Sequence, residues 1–299
     1  ADLFFTAGLA QYTLFYADVV GLSGTPPDLE ISGLTLLNGY SARLERQNVI
    51  NLREAWLRTE VFSQRLALVG GRLDLTNYFD RNAAANDETS QFVSDALVNN
   101  PALGLSTNGA GVALVFDPKR SVNFKVGFQQ SNTDATSLSD SIFSLAEIGY
   151  LATPFSLGEG NYRVWGRMDN STGRNRTAFG ISLDQKLASM ITLFGRYGYG
   201  QVPGEAEDGA ARSIGHHFYS GGLQFQSGLV INPSDTWGIG YAQAELAMGG
   251  KEKLVEGYYN FGLTERFRLS FHLQYFKEWG IAERPVAYLV PGLRLQASF

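Results

Sequence analysis

From Arg266 to Tyr275 the chain alternates strictly: Phe267, Leu269, Phe271, Leu273 and Tyr275 take one parity, Arg266, Arg268, Ser270, His272 and Gln274 the other. Successive side chains of a strand point to opposite faces, so this stretch is a strand with one apolar and one polar face. On a helix the same residues would scatter around the circumference. Residues 121–130 repeat the split, with Val122, Phe124, Val126 and Phe128 opposite Asn123, Lys125, Gly127 and Gln129. At the C-terminus Leu289, Leu293, Leu295, Ala297 and Phe299 oppose Tyr288, Arg294, Gln296 and Ser298.

Read along the whole chain, this period predicts about fourteen strands, over 3–19, 49–61, 65–73, 109–116, 121–130, 144–152, 159–169, 175–185, 189–200, 215–227, 235–246, 251–262, 264–277 and 284–299. The connections mostly alternate between long segments and short turns. That pattern predicts a single-domain transmembrane antiparallel β-barrel over residues 1–299, with both termini on the short-turn, periplasmic side and long loops outside. Antiparallel closure requires an even strand number, so sixteen is the alternative to fourteen. Aromatic residues on the apolar parity fall into two belts: Tyr197, Tyr199, Tyr219 and Tyr275 near the long-loop ends, Trp237, Phe261, Phe267 and Phe299 near the short-turn ends. A large soluble sandwich or propeller also alternates, but the apolar face here is too continuous and aromatic for one sandwich core.

Composition agrees with this division. Charged residues make up 18% of the 299, below the roughly 25% of soluble domains. Mean hydropathy is nevertheless only -0.10, so apolar and polar residues are finely interspersed. The longest apolar runs, such as Leu66 to Val69 and Val112 to Phe116, are far too short for a spanning helix. A net charge of -5 without a basic cluster speaks against nucleic acid as a partner, and the lack of cysteine removes disulfides and thiolate chemistry. An exported chain of this kind would have lost its leader segment.

The stretch from Gly71 through Arg72, Asp74, Asn77 and Tyr78 to Asp80, followed by Asn86 to Phe92, Asn99-Asn100-Pro101 and Asn108-Gly109, resembles the signature region of the carbohydrate-selective porin (OprB) family. Leu52 to Leu57 is similar to that family's second-strand motif, and a last strand ending in Phe299 is similar to outer-membrane barrels generally. The resemblance implies a bacterial outer-membrane diffusion channel for sugars and other small polar solutes. It also implies long outer loops folded inward to narrow the pore, and family members often have sixteen strands.

Inward parity then nominates pore-lining or constriction residues: Glu54, Trp56 and Arg58; Arg72 and Asp74; Asp80; Lys125; Arg163, Trp165 and Arg167; Arg196; and the acidic pair Glu252 and Glu256. Opposed bases and acids beside aromatic rings suit neutral sugars. Hydroxyls accept from Arg and donate to carboxylates, and a ring packs the apolar side of a pyranose. Taken singly, each charge reads equally well as a solvated lumen residue. Phe92, Val93, Ala96 and Leu97 stand at helical spacing and predict a short helix inside the mouth.

Enzyme motifs fail: there is no Gly-rich phosphate cradle after a strand, no His-Glu-x-x-His and no Gly-x-Ser-x-Gly. Adjacent His216 and His217 would point to opposite faces of a strand, which suits an interfacial position better than a shared metal. His272 is on the inward parity. Asp80, Asp87 and Glu88 lack EF-hand spacing and read as solvated carboxylates. The expectation is therefore a passive, cofactor-free and metal-free porin embedded in outer-membrane lipid, as a homotrimer or beside another envelope protein. The alternatives are a general ion or small-nutrient porin and a plugged structural barrel that anchors envelope components.

Overall fold

The structure is a computed structural model. It describes residues 1–31, 33, 35, 37–40, 49–104, 108–130, 142–170, 176–200, 214–227, 232–246, 249–280 and 285–299. Fifteen strands form one antiparallel sheet in which every strand pairs with its neighbours in sequence. They are β1 Asp2–Ala10, β2 Thr13–Gly21, β3 Ile50–Val61, β4 Leu66–Leu73, β5 Gly109–Phe116, β6 Val122–Gln130, β7 Ile142–Ala152, β8 Gly160–Asp169, β9 Arg176–Ala188, β10 Ile191–Gly200, β11 Ile214–Phe225, β12 Thr236–Leu246, β13 Lys251–Gly262, β14 Phe267–Trp279 and β15 Val286–Ala297. No described helix is long and apolar enough to cross a membrane. A single helical turn, α1 (Asp95–Val98), lies in the connection between β4 and β5.

The count of fourteen becomes fifteen at the first strand. Residues 3–19 are two strands, folded back at Gln11 and Tyr12, where Tyr12 takes φ 65°. With an odd number, β1 and β15 run in the same direction and are not paired with each other. Ala1 consequently lies at the end of the sheet that bears the long connections and Phe299 at the short-turn end. Placing both termini on the short-turn side is thereby corrected.

Alternation inside the strands follows the sequence closely. In β14 Phe271, Leu273 and Tyr275 are exposed while Ser270, His272 and Gln274 are buried. In β5 Val112, Leu114 and Phe116 face outward and Ala113 is fully covered. The outward rows carry both aromatic groups: Tyr197 packs on Tyr219 and His217 at the long-connection end, and Phe225 stacks on Trp237 at the other. The His216 side chain lies outside the described residues.

The opposite face is less polar than the alternation predicts. Phe143, Leu145 and Trp165 of β7 and β8 form one cluster with Leu75, Phe79 and Leu103 of the β4–β5 connection. Phe194, Phe218, Leu254 and Phe276 form another with Phe92, Ala96 and Leu97 of the same connection. Glycine makes room for this approach. A Cβ on Gly240 would come within 2.8 Å of Leu97 Cδ2, and one on Gly127 within 2.7 Å of Phe79 Cε2.

Candidate functional site

Residues 74–108 leave β4 through a 3-10 turn in which the Asp74 carboxylate accepts from the Thr76 backbone N–H at 2.9 Å. The described part of the segment lies along the polar face and meets side chains from β3 to β15. Its turns pair some of its backbone groups locally, and the remaining buried ones need other partners. The charged side chains of the sheet supply them. Glu54 accepts from Asp74 N and Asn77 Nδ2, each at 2.8 Å. Glu147 accepts from Asp80 N at 2.7 Å, and Lys125 bridges Glu147 and the Tyr78 carbonyl at 2.6 and 2.7 Å. Glu256 accepts from Val93 N and Ser94 N, and Arg294 donates to the carbonyls of Glu88 and Gln91.

The densest of these contacts is at Asp80, which takes φ 53° and directs its carboxylate at two strands. Oδ1 accepts from Trp165 Nε1 at 2.9 Å and Oδ2 from Arg196 Nε at 2.7 Å. Arg196 also donates to the carbonyls of Leu97, Ala85 and Asp80 at 2.8, 2.7 and 3.1 Å. Its side chain is completely covered. Asp80 is thus joined in one buried knot to Trp165 and Arg196, 85 and 116 residues further along the chain.

The other nominated residues are spread over the sheet. Glu54 and Trp56 lie together, with Trp56 Nε1 donating to Glu54 at 3.2 Å and its ring stacked on Tyr16. Arg58 pairs with Glu60 two residues away at 2.7 Å. Arg167 is buried over the Phe143 ring and donates to the Leu103 carbonyl. Arg72 stands apart from all of these. It is opposite Ala55 and Ala110 in register, on the outward rows, and its Nε donates to the Leu52 carbonyl at 2.9 Å. Pairing Arg72 with Asp74 on one inward face is thereby corrected; Asp74 lies past the end of β4.

A second inward group surrounds a cavity of about 330 Å³. Its lining includes Arg81, Asn82, Asp117, Asn123, Lys125 and Arg163. Arg163 is held by Asp184 at 2.8 Å and Lys125 by Glu147, whereas the exposed Arg81 guanidinium has no ion-pair or hydrogen-bond partner among the described residues. Glu147, Asp184, Arg81 and Arg294 were not singled out from the sequence. Glu147 shares its parity with Phe143, Leu145 and Gly149, so alternation in β7 does not mark it as a polar-face residue.

The connection between β2 and β3 joins the same arrangement. Asp28 accepts from the backbone N–H groups of Leu37 and Asn38, and burial pushes its carboxyl up despite those two donors. Glu252 accepts from Thr35 N at 3.0 Å, and Ala96 N donates to the Thr35 carbonyl. Glu252 and Glu256, both on the inward parity, therefore each hold a connecting segment. His272 Nδ1 lies 2.9 Å from Glu256 Oε1. Among the described residues no cluster of His, Asp or Glu is arranged to hold a metal ion.

No family model matches the sequence. An uncharacterized protein of Aquifex aeolicus (strain VF5) is 27% identical over 226 residues, covering 75% of this chain and 62% of its own. Porin AaxA of Chlamydia pneumoniae is 30% identical over 168 residues, covering 52% of this chain and 36% of its own. The chain thus spans less than two thirds of the curated relatives it matches. Among solved structures, Pseudomonas putida OprB at high pH superposes with a TM-score of 0.78 at 16% identity, covering 96% of this chain and 83% of that one. The resemblance noted in the sequence is matched at the level of the fold: this is an all-β, porin-like sheet.

Proposed function

We propose that the sheet closes around the 74–108 segment as an outer-membrane β-barrel and that small polar solutes, carbohydrates foremost, diffuse through it without energy input or cofactor. One observation carries this reading. A polar face spread over strands from β3 to β15 converges on a single segment, while the other face of the same strands presents exposed Leu, Val, Ile and Phe to its surroundings. Lipid is the medium that accepts such a surface, and it leaves no strand edge unpaired. Because β1 and β15 run the same way, closure takes one further strand antiparallel to both, which gives sixteen.

The charges on the inner face acquire a different meaning from the one their parity implied. Glu54, Asp80, Lys125, Arg167, Arg196 and Glu256 hold the segment in place and set the bore. Solute contact falls to the groups around the cavity, Arg81, Asn82, Asn123 and Arg163. Their amides and guanidinium groups can hydrogen-bond hydroxyls reversibly, as a channel that must release its cargo requires.

Single-channel conductance in a planar bilayer tests the reading. Open current that falls saturably on adding monosaccharides or maltooligosaccharides is the expected result; ohmic current indifferent to sugar would make the protein a general porin. The plugged-scaffold reading has its own observation, the two dry clusters between the segment and the sheet. A folded protein that passes no current would establish it.

Arg81 supplies a narrower test. Its guanidinium has no partner among the described residues, so Arg81→Ala is expected to shift the reversal potential in a salt gradient toward cations while leaving stability within about 0.5 kcal/mol. An unchanged reversal potential would remove Arg81 from the solute path.

A further inference from the structure

On the outward face, Lys253 of β13 stands directly opposite Lys277 of β14. Like charges in that position repel. The next outward row pairs Lys251 with Trp279, and both opposed lysines reach over the Trp279 ring, with Nζ atoms 4.6 and 4.3 Å from its centroid. Among the described residues the ring is the only partner of either ammonium. The one carboxylate on these rows, Glu245, is 3.1 Å from Lys251. Glu278 stands on the other face, opposite Glu252.

Lys253 is the third residue of β13 and Lys277 the third from the end of β14, so the pair stands at the long-connection ends of its strands. Tyr197, Tyr219, Gln243, Lys253, Lys277 and Ala287 are successive partners in one cross-strand row, so the lysines share a row with the long-connection aromatic belt. The outward row toward the middle of the strands is Tyr241, Val255, Tyr275 and Leu289, all exposed. Positive charge with no carboxylate partner among the described residues, above apolar side chains and beside an aromatic belt, matches a molecule with an anionic head and an acyl tail. We infer that Lys253, Lys277 and Trp279 form a docking site for a net-anionic, phosphate-bearing lipid headgroup of the leaflet at the long-connection end, its acyl chain lying on Tyr241, Val255, Tyr275 and Leu289.

The inference rests on the outer-membrane reading, and its test separates the two. The folded protein in neutral detergent is titrated with phosphatidylglycerol and, separately, with phosphatidylcholine of identical chains, and retained lipid is counted by native mass spectrometry. Wild type is expected to prefer phosphatidylglycerol by roughly tenfold or more, the scale of two lysines at an anionic surface. Lys253→Gln with Lys277→Gln is expected to abolish the preference and Arg81→Ala to keep it. Should the double variant fail to fold, each single variant is expected to lose roughly fivefold. Equal retention of the two lipids, an unaltered preference in the variants, or displacement of the lipid by excess inorganic phosphate overturns the site. Insertion into vesicles of the same lipids is scored independently. A protein that inserts but shows no headgroup preference sinks the lipid site alone, and one that never inserts sinks the membrane reading with it.

Discussion

Arg196→Met lowers the stability of the folded protein by about 3–5 kcal/mol, the scale of breaking a buried ion pair, and at the same time raises single-channel conductance. Methionine fills much of the arginine's volume but donates nothing. Asp80 then keeps a buried carboxylate with Trp165 Nε1 as its remaining side-chain donor, and the carbonyls of Leu97, Ala85 and Asp80 lose theirs. Those acceptors belong to the segment, so relief comes by moving the segment away from β10, which widens the bore. Chemical unfolding in detergent and conductance of the same preparation check the two halves of the result. Adding Asp80→Asn to Arg196→Met should recover part of the lost stability, because no charge is then left buried. Unchanged conductance in the single variant would mean that the knot has no bearing on the channel.

The second large effect is apolar. Phe92 is fully buried, edge-on to Tyr258 with ring centroids 4.8 Å apart and tilted against Phe194 at 5.5 Å. Phe92→Ala should cost about 3–5 kcal/mol, the range for emptying a phenylalanine site in a packed core. The sheet does not depend on this ring for its ladder, so the loss should be local: protease cuts within 74–108 become fast while the strands remain resistant. Timed proteolysis followed by mass analysis reads this directly. A variant whose strands and segment become sensitive together would show that the sheet needs the segment in order to fold.

Much of the fold was legible because a strand exposed to two different media must alternate. In β6 the exposed residues, Phe124 and Phe128, are ones that parity selected, as are Phe271, Leu273 and Tyr275 in the middle of β14; in β15 Leu289, Leu293 and Leu295 are exposed as selected, but so are Tyr288 and Gly292 of the other parity. Legibility failed where both faces are apolar. In β4, Ala67, Val69 and Leu73 are buried, Val69 and Leu73 in the cluster that also contains Leu75 and Phe79, while Leu66 and Leu68 take the other parity. Leu66 to Leu73 therefore carries no period to say which way Arg72 points. It failed again at Gln11 and Tyr12, a turn without the Gly, Asn or Pro that announces one. Of the residues at helical spacing from Phe92 to Leu97, Ala96 and Leu97 lie in a one-turn helix at Asp95–Val98, whereas Phe92 and Val93 precede it.

The nominated charges show a different limit. Parity reported the face of Glu54, Lys125, Trp165 and Arg196, and their burial confirms that face. It could not report what they meet, because their partners are backbone groups of a segment whose own sequence has no strand period. An interior charge in such a sheet is read at first as a contact for solute. Most of these charges instead satisfy the peptide groups that the segment brings into the interior, and Arg81 stands out because it has no such duty.

Arg294 gives the arrangement an order in time. Every strand pairs with its sequence neighbour, so the sheet can grow hairpin by hairpin from local contacts. Arg294 lies on β15 and grips the Glu88 and Gln91 carbonyls across sequence separations of 206 and 203 residues. That grip becomes available only once the last strand has arrived. Assembly therefore passes through a stage with the sheet largely built and the segment fastened only to earlier strands, and the last hold on the segment is made by a late latching event.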